Sequence, residues 1–324
     1  FPGNALELSR KLLDPISRSL TPEDVGWLWE QTNTLATEDK KSNELRDLFR
    51  LILLRNNNTP ATCVKLAQLS IASEMVPETA EAIETYLTVA SSSVIDSCLI
   101  ADVFRSVKRF MMPADFVSWF LRCIPKLPSS TVWNLTREDP GHAPEFVKKV
   151  IESGQDADGH VWGQNLLWAA KCCVSPADII RMIIGNHSRL RHIEVIFLQL
   201  ATALSVPAAT SPPLQSALVE FAKLLSGSKS PPVLTWIESW ATRTNNLELL
   251  KPVTLNFLVL QPTASRFASA NRFISQEELI TFLRDRGVPG GTVVGLLVQT
   301  KAIDKGLSIL LKPSGFAFTA LEQT

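Results

Sequence analysis

Apolar residues recur along most of this chain with the period of an α-helix. In the segment ELRDLFRLILL, residues Leu45, Leu48, Phe49 and Ile52 fall on one stripe of a helix. Comparable stripes are formed by Leu218, Phe221, Leu224 and Leu225, and by Leu99, Val103, Val107 and Phe110. Strand-like alternation is almost absent before residue 250. The pattern predicts roughly a dozen amphipathic helices between Ala5 and about Leu258, joined by short turns.

Prolines mark where many of these helices begin. The segments TPED at 21–24 and SPAD at 175–178 each combine a hydroxyl, a proline and an acid. The hydroxyl can cap the first turn, proline lacks an N–H that would go unpaired there, and the acid meets the positive end of the helix dipole. Further helix starts are predicted at Thr59-Pro60, Val76-Pro77, Met112-Pro113, Ala143-Pro144, Ser211-Pro212 and Ser230-Pro231.

The spacing of these starts predicts an array of helix pairs. Successive starts are separated by one helix and its turn or by two, which gives a unit of roughly 30–40 residues. In this period residues 4–258 resemble the HEAT/armadillo class, although the chain carries no motif specific to it. The resemblance implies an all-α fold, an α-solenoid of antiparallel helix pairs. We therefore predict one helical-repeat array over 1–258.

Two segments are predicted to interrupt this array with irregular connections. The segment 123–144 holds four prolines and one glycine, and we expect only a short turn around Trp133. The segment 152–165 is rich in glycine and acidic residues, which favours a surface loop.

A small C-terminal module is predicted over 270–324. Ser275 and Glu278 form a capping box before a helix that Gly287 can end, and GGTVVGLLVQT supplies a second helix. The segment LSILLKPSGFAFTA fits two short strands, in which case the module resembles a winged helix. Alternatively, AIDKGLSILL continues as a helix of the array. Because the second helix brings no basic residue before Lys301, even a winged helix here favours protein docking over DNA reading.

Charge balance and cysteine content limit the expected class of binding partner and the expected cellular compartment. Acidic and basic residues balance at 32 each, which argues against a dedicated binder of nucleic acid or membrane surfaces. No apolar run approaches the length of a membrane span. The five cysteines are scattered without a CxxC pair, and no basic, apolar leader opens the chain. We expect reduced, buried thiols in an intracellular protein, either cytoplasmic or nuclear.

The sequence offers no pattern for catalysis. Of the four histidines, His187 and His192 stand five residues apart, which does not place them on one helix face. The motifs HExxH, GK[ST] and GxSxG do not occur. We therefore expect a protein that is not an enzyme, with no catalytic, cofactor-binding or metal-binding residues.

Two kinds of residue are candidates for contacting a partner. Trp236 and Trp240 stand at i, i+4 on one helix stripe, and tryptophan is enriched in protein interfaces. The basic candidates are Arg105, Lys108, Arg109, Arg181, Arg189 and Arg191. The leading hypothesis is a non-enzymatic scaffold or adaptor, a subunit of an intracellular multiprotein complex that binds a protein partner along a groove or face of the solenoid. The alternative is a nucleic-acid-associated subunit that uses the basic clusters near 105–109 and 181–192.

Overall fold

A computed structural model describes residues 19–36, 38–54, 58–90, 95–154 and 159–301. Every regular element in these ranges is a helix, so the predicted all-α class is confirmed for them. The α-helices are α1 (Pro22–Leu35), α2 (Glu38–Leu53), α3 (Pro60–Ala72), α4 (Val76–Val89), α5 (Ser97–Phe110), α6 (Pro113–Cys123), α7 (Ser129–Glu138), α8 (Ala143–Ser153), α9 (Gly159–Cys172), α10 (Pro176–Gly185), α11 (Ile193–Ala208), α12 (Pro212–Leu225), α13 (Pro231–Arg243), α14 (Leu247–Leu260), α15 (Ala264–Ala270), α16 (Gln276–Asp285) and α17 (Gly290–Gln299). Single 3₁₀ turns lie at Ile124–Lys126 and His187–Arg189.

The helix starts marked by proline are confirmed. Helices α1, α3, α6, α10, α12 and α13 begin at a proline, and α4 and α8 have one at their second residue. Thr21 caps α1: its hydroxyl accepts from the N–H of Asp24 at 3.1 Å, and the Asp24 carboxylate accepts from the N–H of Thr21 at 2.9 Å. The hydroxyl of Ser175 makes no capping bond at α10. There the proline and the acid mark the start without a hydroxyl cap.

The segment around Trp133 is more regular than the sequence predicts. Residues Ser129–Glu138 form the ten-residue helix α7, where we expect only one short turn. Pro128 stands directly before the first helical residue and Pro140 follows the end, so these prolines flank the helix without interrupting it. The ring of Trp133 is buried in the core. Similarly, residues 159–165 of the second predicted connection belong to α9.

Most predicted apolar stripes face the core, with two exceptions. Leu45, Leu48, Phe49 and Ile52 are all buried, as the helical period predicts. Leu224 and Phe110 are exposed, and Phe110 has 58% of its surface open to solvent. Both stand in the last turn of their helices. At such positions, the periodic pattern alone does not guarantee a neighbouring helix to pack against.

The chain divides into two compact units. Unit 1 holds α1–α8 together with Lys171–Val174 and Ser188–Leu190, and unit 2 holds most of α9 and all of α10–α17. In unit 1, α1 contacts α2 and α3, α3 contacts α4 and α5, and α5 contacts α6 and α7. In unit 2, α12 contacts α10, α11, α13 and α14, and α11 also contacts α13. Within each unit, helices therefore pack mainly against the next helix and the one after it.

The last described helices share a core with α14. Their buried residues form one cluster: Leu255, Leu258, Phe267, Ala270, Leu279, Ile280, Leu283, Val288, Val293, Leu296 and Leu297. The predicted capping box is present at α16, where the Ser275 hydroxyl accepts from the N–H of Glu278 at 3.3 Å. Gly287 follows that helix with φ +73°, a conformation that favours glycine. The predicted hairpin falls on 302–324, outside the described residues, and the domain bounds 1–258 and 270–324 stay predictions.

Candidate partner-binding groove

A groove of about 650 Å³ runs along one face of α13 in unit 2. Its lining residues come from α11, α13, α14 and the start of α15: Leu198, Pro231, Pro232, Thr235, Trp236, Ser239, Arg243, Phe257, Gln261 and Arg266. The α13 members recur every three or four residues, which places them on one side of the helix. We call this site the α13 groove. Its volume lies within the range of roughly 300–1,000 Å³ found for ligand pockets.

Trp236 forms the aromatic floor of the α13 groove and belongs to a larger aromatic cluster. The ring of Trp236 stacks on that of Trp240, with centroids 5.4 Å apart and 26° between their planes. Phe197 meets Trp236 edge to face, with centroids 5.2 Å apart. Trp240 is only 3% exposed, whereas Trp236 is partly buried and lines the groove. The predicted tryptophan pair thus contributes one ring to the groove and one to the core.

A hydrogen-bond network fixes the turn that leads into α13. The buried hydroxyl of Ser228 donates to the Glu194 carboxylate and accepts from the N–H of Ser230 at 2.9 Å. The side-chain amide of Asn256 donates to the carbonyl oxygens of Ser226, at 3.1 Å, and Ser228, at 2.9 Å. These bonds tie α11 and α14 to the α12–α13 turn. The N-terminal end of the groove is therefore held from two sides.

Two arginines give the α13 groove its charge. Arg243 is exposed and makes no hydrogen bond or ion pair with any residue the structure describes. The Arg266 guanidinium lies 3.1 Å from the ring centroid of Phe257, and its Nη2 donates to the Gln261 side chain at 3.2 Å. Its Nη1 is shielded from solvent and has no hydrogen-bond partner. Because no acid is among the lining residues, the groove combines a positive potential with an aromatic floor.

Similarity to other proteins does not assign a function to the α13 groove. Comparisons with protein-family models, curated proteins and solved structures give no match. Function therefore has to be inferred from the side chains of this chain.

The basic cluster near 105–109 is largely neutralised by acids in unit 1. Arg105 donates to both carboxylate oxygens of Glu138, at 3.0 and 2.8 Å, and these hydrogen bonds raise the pKa of the guanidinium. Lys108 lies 3.2 Å from the Asp139 carboxylate. The Arg109 guanidinium lies 5.1 Å from the ring centroid of Phe110. Of these three cations, two are committed to carboxylates, which leaves less charge for phosphate groups.

The basic residues near 181–192 differ in the contacts that they make. Arg181 pairs with Asp178 on its own helix at 3.1 Å in unit 2. Arg189 belongs to unit 1, where its Nη1 donates to the Glu152 carbonyl oxygen at 2.9 Å near the end of α8. There it interacts with the negative end of that helix. Arg191 is exposed and belongs to unit 2.

The described ranges contain neither a candidate metal site nor a candidate membrane-spanning helix. Within them, no group of three or more histidine, cysteine or acidic side chains is arranged to hold a metal ion. Each helix in these ranges is too short or too polar to cross a membrane.

The described cysteines divide into buried and exposed thiols. Burial raises the pKa of the Cys63 thiol to about 11 and that of Cys123 to about 12. Cys98 and Cys172 are exposed, contrary to the expectation of buried thiols throughout.

The sequence predicts Trp236 as a partner-binding residue, from its residue type and its spacing to Trp240, but it does not predict the charged residues of the α13 groove. Arg243 follows Trp236 by seven residues, two helical turns later, and this spacing is a signal that places both on one helix face. Phe257 and Arg266 lie on other helices, and only the packing of α13 against α14 and α15 brings them to the groove.

Proposed function

We propose that this protein is a non-enzymatic helical-repeat scaffold or adaptor, a subunit of an intracellular complex, and that it binds a protein partner in the α13 groove. The solenoid architecture is supported by the packing of each helix against the next and the one after it. The repeat spacing of the proline-marked helix starts supports the same architecture.

The observation that carries this proposal is the composition of the α13 groove. Partner-binding hot spots are enriched in tryptophan and arginine set in a well-packed pocket. The groove is lined by Trp236, Arg243 and Arg266, together with prolines at the first turn of α13. Its floor is already fixed by stacking on Trp240 and Phe197, so little ordering is required of this protein on binding.

The nucleic-acid alternative has weaker support. Arg105, Lys108 and Arg181 are paired with carboxylates, and a phosphate-binding surface needs several cations free along one path. A salt titration of any observed binding separates the two functions. Binding to phosphates weakens steeply and log-linearly from about 50 to about 200 mM salt, whereas binding that depends on an aromatic floor changes less.

A variant that fills the groove without changing its charge tests the proposed function. Ser239→Trp places a bulky side chain in the groove, and Gln215→Trp places the same side chain on the exposed face of α12 as a matched control. Tagged wild-type chain and both variants are used for affinity capture from native extract, with quantitative mass spectrometry. We expect Ser239→Trp alone to lose a reproducible protein partner. Identical partners for all three chains would overturn the proposal.

A further inference from the structure

The charge of the α13 groove indicates which kind of segment it can accept. Arg243 is exposed and has no partner among the described residues, and the Arg266 guanidinium lines the same groove. A carboxylate that reaches these guanidinium groups forms charge-assisted hydrogen bonds, which are stronger than hydrogen bonds to a neutral oxygen. No acid lines the groove to compete for the two guanidinium groups.

The apolar surface beside these charges indicates that the ligand is not purely ionic. Trp236 offers partly exposed aromatic surface, and Leu198, Pro231 and Pro232 extend the apolar lining. An aromatic floor of this kind takes an aliphatic or aromatic side chain. Two cations are also few for a nucleic-acid backbone, which brings one phosphate with every nucleotide.

We propose that the α13 groove binds an acidic, extended segment of a partner protein, with an apolar side chain on Trp236 and carboxylates at Arg243 and Arg266. This inference rests on the proposed function and specifies the class of partner. The Arg243 guanidinium is the specificity-determining group, because its exposed fork is open to bidentate contact with a carboxylate.

The spacing of the two anchors along α13 sets the spacing within the ligand. Trp236 and Arg243 are seven residues apart, which corresponds to roughly 10 Å along the helix axis. An extended chain advances about 3.3 Å per residue. The carboxylate that meets Arg243 therefore lies about three residues from the apolar anchor.

Labelled peptides of matched composition test both the charge and the spacing. One peptide carries a central leucine with an aspartate three residues away on each side, in a glycine–serine background. A second has the same composition, with both aspartates directly beside the leucine. A third replaces the aspartates of the first with asparagine, a fourth replaces them with lysine, and an oligonucleotide of comparable length is the fifth probe. Binding to the full chain is measured by fluorescence anisotropy.

The wild-type chain is expected to bind the first peptide about tenfold more tightly than the second or third. Arg243→Glu weakens binding of the first peptide by about tenfold or more, and it gains affinity for the lysine peptide. Arg272→Glu, which reverses an exposed charge of unit 2 outside the groove lining, leaves both affinities unchanged. A far-ultraviolet circular dichroism spectrum and a melting curve verify that each variant is folded.

Several outcomes would overturn this inference. These are equal binding of the aspartate and asparagine peptides, equal effects of Arg243→Glu and Arg272→Glu, tighter binding of the oligonucleotide, or no binding of any peptide. The proposed function is tested separately, because Ser239→Trp fills the groove without changing its charge. Loss of a partner with Ser239→Trp but not with Arg243→Glu leaves the proposed function standing and rejects the acidic ligand.

Discussion

Trp236 and Trp240 stack with their ring centroids 5.4 Å apart, yet only Trp236 lines the α13 groove. The two residues stand one helical turn apart and share a face of α13. Trp240 is buried in the core, whereas Trp236 is partly exposed and lines the groove. We therefore expect Trp240 to contribute mainly to stability and Trp236 mainly to partner binding.

Substituting the two tryptophans separately is expected to affect stability and partner binding in opposite order. Trp240→Ala should cost more stability, and Trp236→Ala should cost more binding. Trp240→Ala removes a buried ring and leaves a cavity, so we expect it to lower the free energy of unfolding by about 3–5 kcal/mol. Trp236→Ala leaves part of its gap open to solvent and is expected to cost less stability. Urea unfolding followed by circular dichroism measures both effects.

The binding profile of the same two variants is expected to be reversed. Trp236→Ala loses the partner while it remains folded, because it removes the aromatic floor of the groove. Trp240→Ala is compared at a temperature and urea concentration where it is still folded, and there it retains more of the binding. If a Trp236→Ala chain captures the partner as well as wild type does, the ring of Trp236 does not contribute to binding.

A buried carboxylate is expected to stabilise unit 1. Asp139 is 5% exposed and accepts from His142 at 2.9 Å while it pairs with Lys108 at 3.2 Å. Asp139→Asn removes the charge and leaves these donors imperfectly matched, which we expect to cost about 1–3 kcal/mol of stability. Asp102→Asn is the control, because Asp102 pairs with Arg105 on the exposed surface. Equal urea midpoints for the two variants would contradict the structural role of Asp139.

The cysteines are expected to divide into two reactivity classes. Burial raises the pKa of Cys63 and Cys123, so both stay protonated at neutral pH, and thiolate is the reactive form. Cys98 and Cys172 are exposed and should react with a thiol reagent in the native protein. Labelling followed by peptide mass spectrometry should find Cys63 and Cys123 modified only after denaturation. Rapid native labelling of Cys63 would contradict its buried position.

The local rules of helix formation explain which parts of the fold the sequence predicts. Proline at the first helical position is a local preference, so starts such as Pro60 and Pro176 are visible without knowledge of packing. The sequence does not predict helix α7, because four prolines within 123–144 are typical of an irregular connection, although Pro128 and Pro140 stand just outside the helix. The helical period likewise could not reveal that Phe110 is exposed at the end of α5.

The candidate site was harder to predict because its charges depend on tertiary pairing. The sequence predicts Arg105 and Lys108 as partner-binding residues, but Glu138 at the end of α7 and Asp139 directly after it pair with them. Arg243 carries the same formal charge and has no such acid in the described structure. Only the packing of helices distant in sequence decides which cations remain unpaired.

The central claim, that a partner protein lies in the α13 groove, is tested most directly by site-specific photo-crosslinking. A photoreactive amino acid replaces Thr235, which is exposed in the groove, or Gln215, which is exposed on α12 as a control. After irradiation in native extract, the Thr235 probe is expected to form a discrete crosslink to one protein, and Ser239→Trp in the same chain is expected to abolish it. If the Thr235 and Gln215 probes give the same crosslinked products, or if Ser239→Trp leaves the crosslink intact, no partner occupies the groove.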